Sequence, residues 1–170
     1  MQSVHLKFLA AVVTLVAASL GAPAGVCAKS KLDWDPEHTW VFAVGILEWE
    51  HSEIYASFPA AMKNRRDAQL VKYFTKAGVP AKHIAYLQDA AATKERIQHD
   101  FRELLDQTDK GDLLIFYFAG HGSRDADSGE TWFANYDAGN SNASAWNVRS
   151  IFTAIDKHFS GNRVLLLADC

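Results

Sequence analysis

Four apolar runs separated by three amphipathic segments predict an α/β fold, with a parallel or mostly parallel sheet carrying helices on both faces. Two observations carry that expectation. The runs WVFAVGIL (40–47) and DLLIFYFA (112–119) are apolar almost throughout instead of alternating with polar residues, as strands buried on both faces are. Between them lie segments whose apolar residues recur every three or four positions, the repeat of a helix with one buried face. Composition narrows the function classes. Of 170 residues, 49% are hydrophobic, enough to bury a core and to exclude a disordered chain. Seventeen Lys and Arg against twenty Asp and Glu give a net charge of −3, so no nucleic-acid partner is expected, since phosphate binding needs a basic face.

In chain order, residues 1–28 hold one cation, Lys7, no acid, the apolar run Phe8 to Leu20, and then Gly21, Pro23 and Gly25. This pattern predicts a secretory signal peptide, with Val26-Cys27-Ala28 or Ala22-Pro23-Ala24 supplying small residues for the cut. The run is short for a span of about 20 residues. An exported protein, periplasmic or extracellular, is therefore expected, without stable membrane insertion after cleavage. Residues 29–39 form an N-terminal extension, and a first strand covers Trp40 to Leu47. After a polar loop with His51 and Pro59, a helix is expected from about Asn64 to Ala77, with Leu70, Val71 and Phe74 inward and Gly78 as its stop. His83 to Leu87 reads as a short strand. Thr93 can cap the next helix, whose Ile97, Phe101, Leu104 and Leu105 share one face. A strand over Asp112 to Ala119 follows, then a loop rich in Gly, Ser and Asp with a small strand at Thr131 to Asn135. A third helix, Val148 to Phe159, sets Val148, Ile151, Phe152, Ile155 and Phe159 on one side. Ser160-Gly161-Asn162 turns into a fourth strand, Arg163 to Ala168.

In open sheets of this kind reactive groups gather at the carboxyl ends of the strands. Two such ends carry residues able to do chemistry. Gly120-His121-Gly122 follows the 112–119 strand and reads either as a tight turn containing a His, or as an imidazole in a crevice whose glycine neighbours let a substrate approach and offer free N–H groups. Asp169 and Cys170 follow the last strand. Taken alone, Cys170 reads as a small apolar strand-end residue or as a nucleophile; beside an imidazole it becomes half of a thiol and base pair. His38, His51, His83, His99 and His158 show no metal-ligand spacing, and the five Trp lack the basic stripe that nucleic-acid stacking requires. Asn142-Ala143-Ser144 matches a glycosylation acceptor. No G-x-G-x-x-G follows a strand, which counts against a nucleotide-binding domain.

The pair DLLIFYFAGHG and LLLADC resembles the caspase-like cysteine peptidases, in particular the metacaspase-like and bacterial caspase-domain branch of peptidase C14. The first strand, Asp67-Ala68 and YLQDAAAT extend the resemblance from about Trp40 to the last residue. Cys170 stands 49 positions after His121; in caspases that separation is about 50. The resemblance implies a caspase-like three-layer sandwich over 40–170, truncated after the fourth strand and incomplete at its carboxyl end. It implies a cysteine-type endopeptidase with a His/Cys dyad acting on proteins or peptides. His121 is then the general base and later acid, and the Gly122 N–H an oxyanion donor. Acids matching Asp67 and Asp169 line the pocket for the residue before the scissile bond, so that Arg or Lys is preferred there. Arg65 and Arg66 stand next to Asp67 and either neutralise it or turn outward. The family pattern is Asp-x-Cys-x-Ser-Gly, whereas Asp169 and Cys170 are adjacent. Either Cys170 is the nucleophile with a shifted acid, or the thiol belongs to a residue 171, and for the parent protein the second reading is the one expected. Little or no activity is expected of these residues alone, and the rival reading is a catalytically inactive caspase-like interaction module. No cofactor is expected; the acids Asp125, Asp127, Glu130 and Asp137 form either a solvated loop or, as resemblance to calcium-dependent metacaspases implies, a calcium site.

Overall fold

The computed structural model describes residues 34–170; the expected signal peptide and residues 29–33 of the extension lie outside the described residues. Among the described residues no helix is long and apolar enough to cross a membrane. The elements are β1 (Thr39–Gly45), α1 (Pro59–Met62), α2 (Arg66–Lys76), β2 (Ile84–Gln88), α3 (Lys94–Leu105), β3 (Leu113–Ala119), β4 (Gly122–Arg124), β5 (Thr131–Phe133), β6 (Trp146–Asn147), α4 (Val148–His158) and β7 (Arg163–Asp169). The four long strands form one parallel sheet in the order β2-β1-β3-β7. The chain builds outward from β1 to β2 and then returns to place β3 on the other side of β1. The β1–β3 junction is therefore the switch point, where a crevice opens beyond the strand ends.

Side-chain alternation divides the sheet into two unequal cores. Phe42, Leu114, Phe116 and Phe118 point to one face and pack with Ile97, Phe101 and Leu105 of α3 and Ile151 and Ile155 of α4. Val41, Ala43 and Ile115 point to the other, under Phe74 of α2 and Val79. Both faces of β1 are thus covered, which is why its sequence is uniformly apolar. Thr93 caps α3 as expected, accepting from the Arg96 N–H. A second acceptor at this helix start, the Asp137 carboxylate on the Lys94 N–H at 2.8 Å, comes from a loop distant in sequence.

The structure departs from expectation in two places, Phe152 and the loop after β3. Phe152 is 51% exposed, because the buried stripe of α4 is rotated toward Ala154 and Phe152 lies about 100° round from Ile151. Among the described residues β7 pairs with β3 alone, and Val164, Leu165 and Leu167 are exposed. The loop after β3 holds more structure than one short strand: β4, β5 and β6 form a small antiparallel sheet.

At the amino-terminal edge of the large sheet, buried Asp112 ties β1 to β3. It accepts from Trp40 Nε1 at 2.7 Å, from the Asp109 N–H at 2.8 Å and from His38 Nδ1 at 2.8 Å. Burial pushes the Asp112 pKa up, but the Asp109 N–H and then the His38 and Trp40 donors outweigh it and hold the carboxyl below its ordinary value. A depressed folded-state value stabilises the protein above the unfolded value of 3.8 and is lost as pH falls through the folded one. Asp112→Asn is expected to cost about 1–3 kcal/mol at pH 7. It should also flatten the loss of stability below about pH 4, as read from urea unfolding midpoints at a series of pH values.

Candidate active site

The register of the parallel sheet sets three strand ends level, Gly45 on β1 beside Ala119 on β3, and Ala119 beside Asp169 on β7. His121 leaves β3 through Gly120, whose φ is +155° and where a Cβ would press on Ile46 O at 3.1 Å and the Phe118 ring at 3.2 Å. Only glycine fits that exit without displacement.

The His121 ring sits among aromatic side chains of the loop after β1. Its centroid lies 4.5 Å from Trp49, 4.6 Å from Phe58 and 5.7 Å from Tyr55. Trp49 Nε1 donates to Ala134 O at 3.2 Å, and the Ala134 N–H donates to His121 O at 3.0 Å, so the same residue holds both the seat and the backbone of the histidine. His121 Nε2 is 2.8 Å from Ala56 O. A carbonyl oxygen only accepts, so Nε2 carries the proton and Nδ1 is the basic nitrogen of the neutral ring.

Gly122 stands opposite Phe133 in the β4–β5 pair. The Ala134 N–H bond to His121 O marks the neighbouring pair as the hydrogen-bonded one. By antiparallel alternation the Gly122 N–H then points away from β5 and is free of that ladder. The free thiol of Cys170 is exposed, and its Sγ lies 2.9 Å from the position a Cβ on Gly122 would take. His121, Gly122, Asp169 and Cys170 line one cleft with Leu47 and Phe58, of about 350 Å³.

A second cleft of about 350 Å³ adjoins the first and shares Leu47, Ala61, Ala119 and Asp169 with it; Asn64, Arg66, Asp67 and Tyr117 complete its wall. Asp67, in the first turn of α2, is 2% exposed. Its carboxylate is clamped by Arg65, with Nη2 2.7 Å from Oδ2 and Nε 3.2 and 3.3 Å from the two oxygens, while Tyr86 Oη donates to Oδ2 at 2.6 Å. The same guanidinium bonds Gly45 O at 2.7 Å and the Asp89 carboxylate. Asp89 in turn accepts the Leu47 N–H at 2.8 Å and has φ +44°, a left-handed conformation that Asp tolerates better than most residues.

Burial pushes the Asp67 pKa up, but the Arg65 and Tyr86 donors outweigh it and leave it below the usual carboxylate range. Burial and the Asp67 carboxylate push the Tyr86 hydroxyl well above its ordinary value. Tyr117 is raised as well, by burial first and then by the charges of Asp169 and Asp67.

The structure therefore brings His121, Gly122, Asp169 and Cys170 to one cleft and Asp67 to its neighbour. Of the two arginines beside Asp67, Arg65 turns in and Arg66 lines the cleft. Sequence reading missed Tyr86, Asp89, Ala56 O and the seat of Trp49, Tyr55 and Phe58, since none has a spacing relation to His121 or Asp67. The four loop acids are dispersed. Asp125 holds its own turn through the Asp127 and Ser128 N–H groups, Glu130 faces Arg149, and Asp137 serves the start of α3. Among the described residues no group of three or more His, Cys, Asp or Glu is arranged to hold a metal ion.

Gly45 makes room for this clamp, because a Cβ there would lie 1.7 Å from Asp67 Oδ2 and 3.0 Å from its Cβ. Gly45→Ala is expected to cost about 1–3 kcal/mol by forcing that buried side chain aside. Arg65→Met, which leaves the Asp67 carboxylate buried without its cation, should cost about 3–5 kcal/mol, whereas exposed Arg66→Met should stay within about 0.5 kcal/mol. Urea unfolding of the three variants checks the order; equal losses at Arg65 and Arg66 would contradict the clamp.

Comparison with known proteins agrees with the fold. The sequence model described as "Metacaspase, peptidase C14 domain" matches residues 67–143. No curated protein matches the chain. Among solved structures, the crystal structure of protein GSU0716 from Geobacter sulfurreducens matches with a TM-score of 0.56 at 16% identity, over 76% of this chain and 48% of its own. This chain thus spans about half the length of that protein, and at such identity the likeness concerns the fold alone. A parallel sheet ordered β2-β1-β3-β7 between two helical layers thus accompanies a stretch, residues 67–143, that is similar to the metacaspase, peptidase C14 domain.

Proposed function

We propose that the chain acts as a caspase-like cysteine endopeptidase on protein or peptide substrates, with His121 as general base and Cys170 as nucleophile. The observation that carries this reading is the single cleft shared by His121, Gly122 and Cys170 at the switch point of the sheet. His121 Nδ1 takes the thiol proton, and the thiolate sulfur attacks the peptide carbonyl carbon. The oxyanion accepts from the Gly122 N–H, which the β4–β5 ladder leaves free. As the C–N bond breaks, the imidazolium returns its proton to the leaving amine and a thioester remains. His121 then takes a proton from water, the resulting hydroxide cleaves the thioester, and the thiolate leaves. The aromatic seat and the Ala56 carbonyl hold the ring in one orientation through these transfers, which a reaction needing close alignment depends on.

The adjoining cleft, with Asp67 and Asp169, takes the side chain before the scissile bond and favours Arg or Lys, because a carboxylate pairs with a cation and repels an acid. The family pattern also favours a reading in which the thiol follows Cys170 and Asp169 keeps its place two residues earlier; mapping the modified residue separates the two. Export rests on residues 1–28, with one cation and an apolar run.

Peptidyl chloromethyl ketones test the assignment without requiring turnover. The version ending in Arg is expected to alkylate Cys170 at least about 100-fold faster than it does in His121→Ala, with the modified residue located by mass spectrometry. The version ending in Asp should react more slowly. Alkylation that ignores His121→Ala would overturn the base, preference for Asp would overturn the acidic pocket, and alkylation neither of Cys170 nor, in the parent protein, of a thiol following it would favour an inactive interaction module.

A further inference from the structure

The two carboxylates of the acidic cleft are not equivalent. Asp67 is 2% exposed, and its Oδ2 already accepts from Arg65 Nη2, Arg65 Nε and Tyr86 Oη. An oxygen with two lone pairs has nothing left to offer a further donor. Its Oδ1 is faced by Arg65 Nε at 3.3 Å. Nor is the guanidinium free to move, since it is bonded to Gly45 O on β1, to Asp89 after β2 and to Asp67 on α2. Swinging it outward would leave two carboxylates without their cation, which is costly at this depth.

Asp169 is exposed, and among the described residues it makes no side-chain hydrogen bond or ion pair. Alternation along β7 puts it on the sheet face that α2 covers, level with Gly45 and Ala119, and both clefts include it. Arg66 lines the same cleft and sets a positive charge at its wall.

We propose that Arg65 is the specificity-positioning residue of this cleft: it occupies the Asp67 carboxylate as an internal cation, so that Asp169 alone meets the guanidinium or ammonium of a ligand. This deepens the basic-pocket reading above and rests on it. Asp67 then acts through geometry, anchoring Arg65 and the floor of the cleft, while the discrimination between a basic and a neutral side chain belongs to the end of β7. Removing Arg65 alone would turn Asp67 and Asp89 into acceptors in want of a cation, which an arginine side chain entering the cleft can supply.

Calorimetric binding of Nα-acetyl-arginine amide, with the neutral isostere Nα-acetyl-citrulline amide as reference, tests the division of labour in the full chain. Wild type is expected to prefer the arginine probe by about 10-fold or more, the worth of one charge-assisted contact. Asp169→Asn, at an exposed position, should fold and lose that preference. The double variant Arg65→Gln with Asp67→Asn removes both charges of that pair and should retain the preference within about 3-fold. Arg65→Gln alone should bind the arginine probe more tightly than wild type; if it does not fold, the other two variants decide. Loss of preference in the double variant, or its retention in Asp169→Asn, would overturn the inference and leave the basic pocket standing. A wild type that does not distinguish the two probes would overturn the basic pocket, and the inference with it.

Discussion

The register of four parallel strands is the constraint on which the rest of the structure depends. Gly45, Ala119 and Asp169 end level on neighbouring strands, and everything with chemical character stands on or just beyond that line. Because successive residues of a strand point to opposite faces, adjacent Asp169 and Cys170 lead to different places. Asp169 faces the side covered by α2 and reaches the acidic cleft, whereas Cys170 joins His121 and Gly122. A slip of β7 by one residue would exchange them. The register is held by the large aromatic core, since Phe116 and Phe118 on β3 can be buried against α3 and α4 in one alignment only.

Each edge of the sheet is closed by a buried carboxylate, and the two are used differently. At the amino-terminal edge Asp112 collects donors from β1, its own turn and His38. At the carboxyl edge Asp67 is held by Arg65 and Tyr86, and the network continues through Asp89 into the backbone of β1 and Leu47. Burial opposes ionisation in both cases, and the donors win in both. The second network also forms the wall of a cleft, so its rigidity determines what that cleft presents. The aromatic seat of His121 follows the same principle with dispersion in place of charge: Trp49, Tyr55 and Phe58 limit the ring to one tilt, and the Ala56 carbonyl determines which nitrogen carries the proton.

Much of the fold was legible in sequence because it follows from burial. The strands at 40–47 and 112–119 sit between two helical layers and must be apolar on both sides, and the α3 stripe of Ile97, Phe101, Leu104 and Leu105 meets one core. Phe152 was misread because a helical stripe has margins, and the sequence does not show how far α4 is rotated toward Ala154. The antiparallel sheet of β4, β5 and β6 escaped because three-residue strands are too short to display a period.

For the site, the sequence by itself singled out His121, Gly122, Asp169 and Cys170 as strand-end candidates and, through the family resemblance, Asp67; the structure lines one cleft with the first four and the adjoining cleft with Asp67. The sequence also raised, without resolving, the question of whether the arginines beside Asp67 turn inward. Only the tertiary structure decided that Arg65 does and Arg66 does not, that Tyr86 and Asp89 complete the clamp, and that a backbone carbonyl at Ala56 orients the histidine. The physical reason is that these are contacts between groups up to 65 positions apart, brought together by parallel crossovers, and a hydrogen bond to a backbone oxygen leaves no mark on the identity of the residue that supplies it.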